Sequence, residues 1–127
     1  RYLTELDAAG IATVPTMLVD RLDEAALEAA RTAMGPELVV KPPISAAADG
    51  TFRLGSAEPL PDAARGRTMM VQPFVRSILD EGEYSLMLFD GAFSHAVVKR
   101  ARAGDYRVQP HLGGSEEACA CPDGALE

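Results

Sequence analysis

Apolar and polar positions divide the chain into short, separable elements. Leu3, Leu6 and the alanines around them, closed by Gly10, predict the last turns of a helix, since glycine suits the left-handed residue that ends one. "IATVPTMLVD" reads as extended. Leu22, Ala26, Ala29 or Ala30, and Ala33 recur at helical spacing. With Asp20 as N-cap, Asp23 and Glu24 in the first turn and Gly35-Pro36 as the stop, they predict a helix over 21–34.

Strand patterns follow. "ELVVK" (37–41) is short, apolar and β-branched, as expected of a strand buried on both faces, and it halts at Pro42-Pro43. Residues 45–67 are rich in Gly, Pro, Ala and Asp and read as a functional or mobile loop with a short strand at 51–54. "TMMVQPFV" (68–75) is a strand broken at Pro73. Two alternating runs, 83–89 and 93–100, joined through Asp90-Gly91, predict a hairpin. "DYRVQ" (105–109) is a candidate further strand, and "HLGGS" and the tail beyond it read as irregular. This order predicts an α+β layer, with helices on one face of a mainly antiparallel sheet.

Composition narrows the class. A chain of 127 residues suits one domain, and no apolar run approaches the roughly 20 residues that cross a bilayer. Neither a membrane partner nor a signal peptide is expected, and the expectation is a cytoplasmic protein. An opening at Arg1 without Met and an ending in "CPDGALE" are expected of a piece of a longer chain. The net charge of −7 opposes general nucleic-acid binding, which needs clustered Lys and Arg. One local exception is Lys99, Arg100, Arg102 and Arg107, interrupted only by Asp105: a basic patch the size of a phosphate site. The same charges also suit a solvated strand edge, and with the hairpin they suit the edge of a homo-oligomer. Cys119 and Cys121 form C-x-C without the second ligand pair of a zinc site.

Candidate chemistry begins at Lys41, which places a point charge at the mouth of a strand where an anion could sit or where the strand simply reaches solvent. The loop "AAADG" (46–50) has residues small enough for backbone N–H groups to approach a phosphate. Neither a P-loop nor a dinucleotide fingerprint occurs, and His95 and His111 define no catalytic triad.

The succession is more specific than its parts. Lysine on a strand, small-residue loop, "QPFV", "EGEYSL", "VVKR" and "GDYRVQPHLGG" together resemble the central part of an ATP-grasp enzyme, over roughly residues 1 to 115. The pattern is most similar to the branch of glutathione synthetases and ribosomal-protein glutamate ligases, and within it to the type that closes O-ureidoserine into a ring in cycloserine biosynthesis. The resemblance implies a lid subdomain with its phosphate loop over 1–75, a hairpin and the start of the catalytic sheet over 76–115, and an irregular tail over 116–127. It further implies a ligase that uses ATP and Mg²⁺ to join small-molecule carboxylate and amine substrates through an acyl phosphate.

Roles carried by the resemblance fall on chemically suitable residues. Lys41 matches the lysine that contacts the α- and β-phosphates, and the loop with Ser45 and Gly50 matches the flap that closes over them. Gln72, Pro73, Phe74 and Val75 match the hinge that reads adenine: the Pro73 C=O accepts from the N6 amino group and the Val75 N–H donates to N1. The Gln72 amide oxygen, where many relatives carry Glu, can still accept from N6. Glu83 matches the acid that accepts from the ribose hydroxyls; without that context it is an exposed charge at a strand start. Arg100 and Arg107 match the catalytic arginines that face the γ-phosphate and the acyl phosphate, a task suited to a planar, permanently charged fork. Gly113 and Gly114 match a pair where backbone passes near substrate.

The chain also departs from that pattern. The family's FR-x-N appears as Tyr106-Arg107-Val108-Gln109, and a second phosphate lysine is missing near the start, where Arg1 stands. The Asp or Glu and later Glu-x-Asn that hold Mg²⁺ are not found after Gly114, and Glu116, Glu117, Asp123 and Glu127 are poor substitutes in a tail expected to be irregular. No metal ligand is therefore assigned within the chain.

Overall fold

The computed structural model describes residues 2–126, so Arg1 and Glu127, both named above, lie outside it. The chain forms two compact units, one ending at Phe74 and one starting at Val75.

The first unit contains α1 (Tyr2–Ala8), β1 (Met17–Val19), α2 (Glu24–Met34), β2 (Leu38–Lys41), β3 (Phe52–Leu54) and β4 (Met69–Pro73). Its sheet has the order β1-β4-β2-β3, and every pair is antiparallel. Side chains alternate along each strand, so register assigns the faces. Met17, Val19, Leu38, Val40, Phe52, Leu54, Met69 and Val71 share one face and join Leu27 and Ala30 of α2 in the core. The other face carries Leu18, Val39, Lys41, Arg53, Met70 and Gln72. Strand β2 is thus fully buried on one face and only half-buried on the other, rather than buried on both.

Two more expectations for this unit are corrected. Helix α2 starts at Glu24, not at 21: the N-cap is Asp23, whose Oδ1 accepts from the Ala26 N–H at 2.8 Å, in place of Asp20. Leu22 contributed to the helical spacing, yet it enters the core from outside the helix, its N–H donating to the Arg67 C=O and its own C=O accepting from the Gly66 N–H. Residues 55–67 are likewise not a loose loop. Leu60 and Ala64 are buried in the core, the Leu60 N–H donates to the Glu24 carboxylate, and the Arg65 guanidinium pairs with the same carboxylate at 2.9 Å.

The second unit contains α3 (Ser77–Asp80), β5 (Glu83–Phe89), β6 (Ala92–Arg100), a 3₁₀ turn at Pro110–Leu112 and β7 (Ser115–Cys119). Its antiparallel sheet has the order β5-β6-β7. Asp90 and Gly91 both have positive φ, the geometry of a tight two-residue hairpin turn. Two further corrections belong here. Residues 105–109 form no strand, whereas Ser115–Cys119, at the start of the expected irregular tail, pairs along β6 from Arg100↔Ser115 to Ala96↔Cys119. A Cβ on Gly114 would collide with the Val108 carbonyl, so this glycine lets residues 108 and 114 pass backbone against backbone. Among the described residues, no helix is long and apolar enough to cross a membrane.

Candidate functional site

In the first unit, Lys41 and Gln72 project from the sheet face opposite the core. Lys41 pairs with Met70 and Val39 with Gln72, which makes Lys41 and Gln72 diagonal neighbours at a spacing of about 7 to 8 Å. Gln72 is only 7% exposed. Its Nε2 donates to the Thr16 hydroxyl at 2.7 Å, and Thr16 in turn donates to the Val14 C=O. That fixes the amide with its oxygen as the remaining acceptor.

The hinge follows. The Phe74 N–H donates to the Glu37 C=O at 2.9 Å, and no peptide bond is cis. In a trans peptide the C=O points opposite the N–H, so the Pro73 C=O faces away from β2. The β1–β4 ladder runs only from Val19↔Met69 to Met17↔Val71, so the Pro73 C=O lies beyond it. Pro73 thus offers its acceptor in a strand where its missing N–H costs no ladder bond. The loop between β2 and β3 turns sharply: Ala47, Ala48 and Gly50 all have positive φ, and the Ser45 hydroxyl donates to the Asp49 C=O at 2.7 Å.

In the second unit, alternation along β6 sends Lys99 and Arg100 to opposite faces. Lys99 stands between Glu83 on β5 and Glu116 on β7, with its Nζ 3.8 and 3.9 Å from their carboxylates. Arg100 lies on the other face, 3.6 Å from Glu117. The basic patch is therefore offset by Glu83, Glu116 and Glu117 as well as by Asp105. The two tail glutamates are strand residues engaged with cations.

Asp105 is the best-held acid of this unit, at 7% side-chain exposure. Its Oδ1 accepts from the N–H groups of Tyr106 and Arg107 and from the Arg107 Nε, and its Oδ2 accepts from the Arg107 Nη2 at 2.9 Å. The Arg107 side chain and backbone hold the Asp105 carboxyl well below the usual carboxylate range, against a smaller opposing effect of burial. The same pair raises the pKa of Arg107. Nη1 and the second Nη2 proton of Arg107 remain available for another anion.

Sequence reasoning missed Thr16, Glu37 and Arg53. The Arg53 guanidinium lies 3.8 Å from the Phe74 ring centroid and donates to Glu37 Oε2 at 2.9 Å. The alternation of Phe52, Arg53 and Leu54 marks Arg53 as the residue facing away from the core, but its partners depend on register. Among the described residues, no group of three or more His, Cys, Asp or Glu is arranged to hold a metal ion. Cys119 and Cys121 are both free thiols.

No family model matches the chain. It is 34% identical over 118 residues to the cycloserine biosynthesis protein DcsG of Streptomyces lavendulae, an alignment covering 80% of this chain and 38% of that protein. It is 32% identical over 110 residues to glutathione synthetase of Prochlorococcus marinus (strain MIT 9313), covering 81% of this chain and 34% of the relative. The chain thus spans little more than a third of the length of these curated relatives. The crystal structure of D-cycloserine synthetase DcsG superimposes with a TM-score of 0.80 at 27% identity, over 99% of this chain and 46% of that one. The α+β fold with antiparallel sheets matches part of that enzyme, and sequence and structure together relate this chain to the ATP-grasp ligases.

Proposed function

We propose that this chain is the ATP-binding portion of a carboxylate-amine ligase that works through an acyl phosphate. The observation that carries the reading is the placement of Lys41 and Gln72 on one sheet face beside Pro73, which lies beyond the β1–β4 ladder. It puts a cation and an oriented amide on the same sheet face as diagonal neighbours, with backbone groups next to them suited to an adenine edge. The likeness to DcsG and glutathione synthetase supports it independently.

In this reading Lys41 binds the α- and β-phosphates, and the loop containing Ser45 and Gly50 covers them. The Gln72 oxygen and the Pro73 C=O accept from the adenine amino group, Phe74 holds the hinge, and the Val75 N–H donates to N1. Glu83 accepts from the ribose hydroxyls, exchanging part of its attraction to Lys99 for two hydroxyl donors. Arg100 and Arg107 stabilise charge on the transferred phosphoryl group, Arg107 doing so while Asp105 orients its guanidinium.

Magnesium would supply charge neutralisation of the phosphates in such chemistry, and among the described residues no group of three or more His, Cys, Asp or Glu is arranged to hold it. The reading therefore expects nucleotide binding by the 127 residues without ligation. A second reading is a nucleotide-binding or protein-interaction module with no chemistry of its own. Titration with ATP tests binding, and assay of ADP release with candidate acids and amines tests ligation. Turnover by residues 1–127 alone would contradict the division of labour proposed here.

A further inference from the structure

The structure points to Arg53 as a positioning residue for base recognition, acting through Phe74; this inference rests on the adenine-hinge assignment above. Three contacts close a ring around Phe74. The Arg53 guanidinium stacks 3.8 Å from the ring centroid, its Nη2 binds Glu37 Oε2 at 2.9 Å, and the Glu37 C=O accepts from the Phe74 N–H. Arg53 sits on β3 opposite Val39, on the face that also carries Lys41 and Gln72.

The geometry matters because Phe74 lies between the two peptide groups proposed to read the base. Rotation about its backbone torsions changes the spacing and direction of the Pro73 C=O relative to the Val75 N–H. The ring contact restrains the side chain, the hydrogen bond restrains one peptide, and both end on the same Glu37-Arg53 pair. A guanidinium suits the task because it can stack flat on a ring while donating in its own plane to a carboxylate. An ammonium cannot do both. Arg53 also follows the β2–β3 loop directly, three residues after Gly50.

A positioning role separates base from phosphate recognition. The test compares ATP, GTP and inorganic tripolyphosphate binding to the full chain, for wild type, Arg53→Lys, Arg53→Met and Glu37→Gln, with Tm measured in parallel. The expected result is a loss of roughly five- to tenfold in ATP affinity for Arg53→Met and an intermediate loss for Arg53→Lys, with tripolyphosphate affinity unchanged. ATP preference over GTP should shrink in the same order. Equal losses for ATP and tripolyphosphate would make Arg53 a phosphate ligand or a general support and overturn the inference. Unchanged ATP affinity in both Arg53 variants would overturn it as well. Failure of wild type to prefer ATP over tripolyphosphate would instead remove the adenine-hinge assignment itself, and the inference with it. Arg53→Lys retains charge and most of the side-chain volume, so it decides the matter if Arg53→Met does not fold.

Discussion

Asp105 and Arg107 are joined by two parallel hydrogen bonds between carboxylate and guanidinium, while the backbone N–H groups of Tyr106 and Arg107 donate to the same acid. This arrangement turns a segment without regular secondary structure into a defined one and aims the remaining donors of Arg107. Because the folded pKa of Asp105 is depressed, its contribution to stability is complete above the ordinary carboxylate value of about 3.9. It is lost as pH falls below that value towards the lower folded pKa. Thermal unfolding should therefore show a wild-type Tm falling below about pH 4, beyond the fall seen in Asp105→Asn. At pH 7 the variant should unfold roughly 5 °C lower. Identical acid profiles for the two proteins would show that the pair contributes nothing to folding.

Two glycines should respond very differently to alanine. Gly114 has no room, because a Cβ there meets the Val108 carbonyl and the Arg100 carbonyl. Gly10 has positive φ but open space around it. Gly114→Ala should cost about 3 kcal/mol or more and Gly10→Ala about 1 kcal/mol, read from urea unfolding. Equal costs would mean that residues 108 and 114 do not pass as closely as described.

Leu27 anchors α2 to the four-stranded sheet and is fully buried beside Ala30, Leu38 and Val71. Leu27→Ala should cost about 3 kcal/mol by leaving a cavity that the sheet cannot collapse to fill. A loss under about 1 kcal/mol would show that α2 packs loosely on the sheet.

Thr16 orients Gln72. Thr16→Val removes the acceptor that buried Gln72 Nε2 finds in the exposed Thr16 hydroxyl, at about 1 kcal/mol of stability. If the Gln72 oxygen reads the adenine amino group, ATP affinity should also drop a few-fold while tripolyphosphate affinity stays constant, as measured by calorimetric titration. A drop in stability with no change for ATP would leave the amide as a structural group only.

The hairpin was legible because two signals agree: alternation on both arms and Asp90-Gly91 between them. Strand β7 was not, because "SEEAC" is almost wholly exposed and carries no apolar alternation. It is placed by pairing with β6 and by Glu116 and Glu117 facing Lys99 and Arg100, which local composition cannot announce. The start of α2 was misread because Leu22 continues the helical spacing by coincidence, while the capping chemistry belongs to Asp23. Of the candidate site, Lys41 and the hinge stood out through order and residue type. The Arg53-Phe74 stack depends on cross-strand register and the Thr16-Gln72 bond on where β1 begins, so neither could be read from sequence spacing.

The most direct test of nucleotide binding is equilibrium titration of the chain with ATP, with and without Mg²⁺, for wild type, Lys41→Ala and Glu83→Ala. Saturable binding weakened about tenfold by each substitution is expected, as when a charge-assisted contact is lost. Saturable binding that neither substitution changes, or no binding by the wild-type chain, would contradict that expectation.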